Sequence, residues 1–277
     1  MRTKSCLTAA LLAVALTASL TGTASAHQHR HHAKHHRHHH AEHRHQVVPQ
    51  RLHLAQANLK QGEAKFAADL AEVTEGRPDF VTLNEAGYRT DEEIRPQGYD
   101  AYRGLSSPYT RETPVLWRKH RWEAIGHGTR WMTRRQVRWG QRAVNWVTLR
   151  STRTGNVVSV VSAHPAPTLP RTEGLLPKFA KHLVTVVTHL EKRGPVLVGG
   201  DLNSHYTSSL FPRTIFDKGG LTSTYATFGM PVGGTGDHGG ATIDYLLYTS
   251  GLVPKEQSTA ELHSDHDAVF GTFKLGS

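Results

Sequence analysis

The stretch Pro195-Val-Leu-Val-Gly-Gly-Asp-Leu-Asn-Ser-His205 joins a short β-branched run to two glycines and then, at once, to acid, amide and imidazole groups. A run of this kind, closed by Gly199 and Gly200, predicts a buried strand whose exit loop holds Asp201 and Asn203. Side chains two apart in such an exit face one side. A second stretch, Ser264-Asp-His-Asp267, stands before the strand-like Ala268-Val-Phe270. There Asp265 offers a hard oxygen ligand beside His266, a group that moves protons near neutral pH.

Outward from these two stretches, the same order recurs. Arg51 to Asn58 alternates, with Leu52 and Leu54 on one face, and predicts a first strand ending at Asn58. Gly62 to Glu75 carries Phe66, Ala67, Leu70, Ala71 and Val73 at helical spacing and stops before Gly76 and Pro78. Asp79-Phe-Val-Thr-Leu83 is a short strand that delivers Asn84 and Glu85 to its far end. Pro114 to Trp117 and Trp122 to Ile125 read as two strands of a meander. Ala143 to Leu149 and Val157 to Val161 read as a hairpin around Thr154-Gly155. Its second strand ends at Ser162-Ala-His-Pro165, where Pro165 and Pro167 forbid regular continuation and leave His164 at a strand end. A helix is expected from Glu173 to Arg193. The strand Ala241 to Tyr248, entered through the glycine-rich loop 233–240, carries Asp244, and a carboxylate inside an apolar strand needs a partner. Polar groups at so many strand ends converge only if the strands are neighbours in packed sheets.

Composition sets the compartment. Arg2 and Lys4, an apolar stretch from Leu7 to Leu20 and then Ala24-Ser-Ala26 follow the order of a secretory signal peptide, with cleavage expected after Ala26. No later segment has the roughly 18 apolar residues of a membrane span. An exported, soluble protein without stable membrane insertion is expected. The only cysteine, Cys6, would leave with the signal, so the mature chain has neither a disulfide nor a thiolate metal site. Residues 27–46 hold 11 histidines with interspersed Arg and Lys and no large apolar group. This tail is expected to stay disordered, as a solvated spacer, a scavenger of transition metals or a pH-gated basic arm. The remaining 47–277 suits one domain. Half of the formal charge of +10 sits before residue 47, so the domain permits a polyanionic partner without demanding one. No heptads appear, and a monomer is the default.

The ordered series Asn58, "LNEAG" 83–87, "SAHPAP" 162–167, "GGDLNSH" 199–205, "TIDYLLY" 242–248 and "SDHDAV" 264–269 resembles the endonuclease/exonuclease/phosphatase superfamily, the group that contains deoxyribonuclease I. The resemblance covers about Arg51 to Phe273. It implies an α/β, four-layered sandwich, two mixed β-sheets packed face to face with helices on both outer faces, and a site at one rim. It also implies roles: Glu85, helped by Asn58 and Asp265, holds a divalent ion, Mg²⁺ first and Mn²⁺ or Ca²⁺ as substitutes. Asp201 and Asn203 position the attacking water and bind phosphate. His266, oriented by Asp244, accepts a proton or binds the phosphoryl oxygens, and His164 is the candidate acid for the leaving oxygen. Asn84 stands where the family usually has Gln. Such a set relieves the negative charge that gathers at a phosphodiester under attack.

All five tryptophans fall between Arg111 and Arg150 among many arginines. Trp117, Trp122 and Trp146 are expected in the core, whereas Arg130, Trp131, Arg134, Arg135, Arg138 and Trp139 are expected to form a loop. In that loop Arg134, Arg138 and Trp139 are candidate substrate contacts, since Arg for phosphates and aromatics for stacking suit nucleic acid. A secreted nuclease for DNA or RNA is therefore the expected function. A sphingomyelinase-like phospholipid phosphodiesterase, a phosphomonoesterase and a non-catalytic metal-scavenging protein stand as alternatives. The phospholipid reading calls for a protruding apolar hairpin, and the sequence shows none plainly.

Overall fold

The computed structural model describes residues 47–276; the signal peptide and His-rich tail read from the sequence lie outside the described residues. The chain order is β1 (Gln50–Asn58), α1 (Phe66–Glu75), β2 (Phe80–Asn84), β3 (Tyr99–Tyr102), α2 (Pro108–Arg111), β4 (Val115–Arg118), β5 (Trp122–Arg134), β6 (Gln141–Ser151) and β7 (Val157–Ala163). It continues through α3 (Leu175–Glu191), β8 (Val196–Asp201), α4 (Arg213–Lys218), β9 (Thr222–Ser223), α5 (Tyr225–Phe228), β10 (Asp244–Tyr248), β11 (Leu252–Ala260) and β12 (Ala268–Leu275). Two six-stranded mixed sheets result, in the orders β11-β12-β1-β2-β4-β3 and β5-β6-β7-β8-β10-β9.

Strand alternation sorts side chains into layers. Leu52 and Leu54 of β1 join Phe80, Trp117, Trp122, Val147, Leu149, Val158, Val160, Leu197 and Leu246 between the sheets. Ala55 and Ala57, on the other face of β1, lie under Phe66, Leu70 and Val73 of α1. On the far side, Val161, Val196 and Val198 pack against Phe179, Leu183, Val187 and Leu190 of α3. The sandwich is thus covered by helices on both outer faces, as expected. Burial on two faces explains why β7 and β8 read as nearly unbroken apolar runs.

Three expectations are corrected. The helix expected from Gly62 starts at Phe66, because Gly62 has φ 84°, which a right-handed helix cannot contain. Trp117 and Trp122 are not on paired strands: β4 pairs with β2 and β3, β5 pairs with β6, and the chain changes sheets between them. Both tryptophans still enter the core between the sheets, from opposite sides, and apolar periodicity reports the buried face rather than the pairing partner. Finally, half of the expected Arg/Trp loop is strand: Arg130, Trp131 and Arg134 lie on β5, and Arg135, Arg138 and Trp139 lie in the turn to β6.

At the end away from the strand exits, Asp79 ties the layers together. Its fully buried carboxylate accepts the His53 N–H of β1 at 3.0 Å and the Trp122 indole N–H of the other sheet at 3.1 Å, and it pairs with Arg121 at 3.1 Å. Of the helices among the described residues, none is long and apolar enough to cross a membrane.

Candidate active site

Each sheet contains one parallel pair, β1 with β2 and β7 with β8, connected across an outer face by α1 and α3. Their four C-terminal ends deliver Asn58, Glu85, His164 and Asp201 to one rim. Antiparallel β10 starts there, with Asp244 directly opposite Asp201. β12 runs antiparallel to β1, so the loop before it brings Asp265 and His266 to the same place. That loop is pinned by Asp69 of α1, whose carboxylate accepts the backbone N–H groups of His263 and Ser264, and by Ser264 Oγ, which donates to the Asn58 carbonyl at 2.7 Å.

The predicted residues meet. Asn58 Nδ2 donates to Glu85 Oε1 at 3.2 Å and to Asp201 Oδ2 at 3.1 Å, and lies 3.3 Å from His266 Nε2. His266 Nδ1 lies 2.8 Å from Asp244 Oδ2. His164 Nε2 lies 3.4 Å from Asp201 Oδ2. Asn203 N–H donates to Asp201 Oδ1 at 2.7 Å, and its side-chain amide donates to the Pro165 carbonyl at 3.1 Å. Asp265 lies at the rim, 3.3 Å from Lys60 Nζ. Of the three expected substrate contacts, Arg138 and Trp139 line a pocket of ≈ 270 Å³ whose wall includes Glu85. Arg134 is not brought there; it is exposed at the end of β5, over the Trp131 ring.

Sequence reading missed two groups. Glu112, just before β4, has its carboxylate 3.0 Å from His164 Nδ1 and accepts both of its oxygens' bonds from Arg142 at 2.8 Å. The signal was available, since Glu112 precedes an apolar run as Asp265 does, and Arg142 is a buried charge in β6. The second group is a polar layer beneath the site. Thr82 Oγ1 donates to Gln56 Oε1 at 2.7 Å, Gln56 Nε2 donates to Asn84 Oδ1 at 2.8 Å, and the same Asn84 oxygen accepts the Asp201 N–H at 2.7 Å. Asn84 therefore fixes the backbone of Asp201 from the opposite sheet. Both histidine–carboxylate pairs also cross between sheets: His266 and Glu112 belong to the first, Asp244 and His164 to the second.

Burial and pairing act against each other on these groups. Burial works to raise the Asp201 carboxyl, but His164 holds it down to about 2. Burial works to lower His266, but the bond to Asp244 lifts it to about 9. Asp244 itself is raised, chiefly by burial. For His164, burial pulls down, yet the Glu112 carboxylate dominates and the imidazole is pushed up to about 10. Glu112 is buried too, which works to raise it, and Arg142 holds it low.

The His164 shift has a consequence for stability. An imidazole that titrates at about 6.5 when unfolded and about 10 when folded makes the native state bind the extra proton between those values. Its contribution is fully present below pH 6.5 and is lost as pH rises through about 10. Urea midpoints measured at neutral pH and near pH 10 will fall more steeply in the wild type than in His164→Gln. Equal slopes would show that the buried imidazole is neutral.

Among the described residues, no three His, Cys, Asp or Glu side chains are close enough to enclose a metal ion. Glu85 and Asp265 are the hard-oxygen donors at the open rim. Asn58 turns its NH₂ to Glu85 while its oxygen accepts the Lys60 N–H at 3.1 Å, so in this orientation it clamps Glu85. One or two carboxylates and a space for phosphate suit Mg²⁺, which keeps several of its waters, better than they suit a closed protein cage.

A rim with two histidine–carboxylate pairs, a low-pKa carboxylate between them and hard oxygen donors beside it defines a phosphoric ester hydrolase. The family model "Endonuclease/Exonuclease/phosphatase family" matches residues 30–266, and the chain belongs to that family. No curated protein matches by sequence. Solved structures share the fold. An endonuclease/exonuclease/phosphatase from Bacteroides vulgatus has TM-score 0.69 at 18% identity, covering 82% of this chain and 99% of its own. A mannosyl-6-phosphatase from Bacteroides thetaiotaomicron has TM-score 0.65 at 15% identity, with 80% and 99% covered. The human Nocturnin catalytic domain with bound sulfate has TM-score 0.66 at 15% identity, with 83% and 97% covered.

Proposed function

We propose that the protein is a divalent-metal-dependent phosphodiesterase that hydrolyses nucleic acid, and that it is exported by its N-terminal segment and acts as a monomer. The observation that supports this most strongly is the Asp201 carboxylate, set between His164 and His266 with an Arg/Trp-bearing pocket beside Glu85. Family members generally depend on a divalent metal. Glu85 and Asp265 would hold one, and the ion would draw charge from a nonbridging phosphate oxygen.

The chain's own groups supply the rest. Asp201 is ionised throughout the neutral range and accepts a hydrogen bond from the attacking water, aimed with the help of Asn203. The water passes its proton to the Asp201 carboxylate as it attacks, and His266, held protonated by Asp244, donates from Nε2 to the phosphoryl oxygens. The new bond joins water oxygen to phosphorus as the bond to the ester oxygen breaks. That oxygen takes the proton that His164 Nε2 now directs to Asp201. In this reading the His-rich tail binds transition metals independently of the site.

Supercoiled plasmid incubated with the full chain will be nicked in Mg²⁺, or in Mn²⁺ or Ca²⁺, and remain intact in EDTA. Intact plasmid in every metal, with hydrolysis of a phosphomonoester, would replace the nuclease reading by a phosphatase. The phospholipid reading gains one specific observation: Phe228 at the end of α5, with Met230 and the fully exposed Val232 in the loop after it, presents exposed apolar side chains close together in sequence. Cleavage of sphingomyelin vesicles in place of plasmid would establish it.

A further inference from the structure

Five non-glycine residues among the described ones have φ in the left-handed region: Lys60, Arg77, Glu85, Trp139 and Asn203. Side chains adopt this conformation rarely, and it persists where the surroundings impose it. Lys60, Glu85 and Asn203 belong to the rim already described. Trp139, with φ 65°, does not; it sits at the end of the β5–β6 turn. What it shares with Glu85 is a wall of the same ≈ 270 Å³ pocket.

That pocket opens beside the Glu85 carboxylate and is built from four separate pieces of chain, with Gln61 contributed by the loop after β1. Tyr88 comes from the loop after β2, Pro108 and Tyr109 from α2, and Arg138 and Trp139 from the β5–β6 turn. Tyr88 is 70% exposed, so its ring stands in solvent at the mouth. The Arg138 guanidinium lies 4.2 Å from the centre of the Trp139 ring and that of Arg171 lies 5.3 Å from it, a geometry that fixes the indole and adds positive charge. Tight packing holds the turn itself, since a Cβ on Gly140 would meet the Val137 side chain. Glu112 and Arg142 close the inner end, and their charges are spent on each other and on His164.

We infer that this pocket receives one unstacked nucleobase of a single-stranded nucleic acid, the base next to the phosphate under attack. The inference rests on the nucleic-acid reading and narrows it to unpaired strands. Aromatic faces bind any base by stacking, and cationic guanidiniums at the same place track the backbone. A paired base cannot enter without leaving its stack, a cost that single strands do not bear.

The test compares kcat/KM of the full chain, in the metal that supports plasmid nicking, on a short DNA or RNA strand, on the same strand annealed to its complement, and on the same strand made abasic beside the scissile phosphate. Wild type is expected to prefer the single strand by about tenfold or more over both others. Tyr109→Ala and Trp139→Gly, the latter suited to the left-handed backbone, are expected to bring that ratio towards one. A change in the ratio separates base recognition from a general loss of fold. Equal rates on single strand and duplex, or a ratio preserved in both variants, would overturn the inference while leaving the protein a nuclease. No cleavage of any strand by folded protein in any of the three metals would overturn the nucleic-acid reading and the inference with it.

Discussion

His266→Ala is expected to lower plasmid nicking about a thousandfold, the range of general acid–base groups, with urea stability changed far less. The imidazole is fixed on three sides. Asp244 holds Nδ1 at 2.8 Å, Nε2 faces Asn58 and Asp201, and behind the ring the backbone N–H of His266 donates to Ser264 Oγ at 3.3 Å. The nearest other imidazole is that of His238, whose ring centre is 4.3 Å away and which meets it edge to face from a different loop. Asp244→Asn keeps the shape but removes the charge that supports the imidazolium, and a smaller loss, on the order of a hundredfold, is expected. The informative outcome is the ranking. If Asp244→Asn lost more than His266→Ala, Asp244 would have a role of its own and the pair would not work as a unit.

Gly199→Val is expected to be the most damaging substitution to the fold, with a loss of at least about 3 kcal/mol in urea unfolding. Gly199 lies in β8 facing the other sheet at close range; an added Cβ would collide with the Thr82 hydroxyl and come 3.2 Å from Gln56 Oε1. Those two side chains carry the polar layer that ends at the Asp201 N–H. A side chain there must push the sheets apart or break buried hydrogen bonds, and either course costs more than the methyl groups return. Stability within about 0.5 kcal/mol of wild type would mean the layer is soft enough to yield.

The close approach at Gly199 also shows what a sequence discloses and what it withholds. The run before Gly199 and the polar exits at Asn58, Glu85, His164, Asp201, Asp244 and Asp265 were legible because parallel strands buried on two faces are apolar along their length and change abruptly where they end. The helix α3 was legible for a related reason, its stripe from Leu175 to Leu190. Edge strands gave no such signal. β11, with sequence Leu-Val-Pro-Lys-Glu-Gln-Ser-Thr-Ala, is mostly solvated and carries a register shift between Pro254 and Glu256. β5 was cut short at Ile125 because shifts between Ala124 and Gly126, and again between Trp131 and Thr133, break its two-residue period. Glu112 carries a signal of position, ahead of the apolar run that becomes β4, but its pairing with Arg142 is not legible, because that contact joins residues 30 apart in sequence.

The division of the site between two sheets gives the molecule a built-in sensor of its own integrity. His266 finds its acid across the sandwich in Asp244, His164 finds its acid across it in Glu112, and the Asp201 backbone is held from across it by Asn84. A sliding of one sheet over the other by a fraction of a residue leaves every strand hydrogen-bonded and most of the hydrophobic core covered, yet it separates all three couples together. These three couples therefore form together only in the aligned sandwich, and none can be built by either sheet alone.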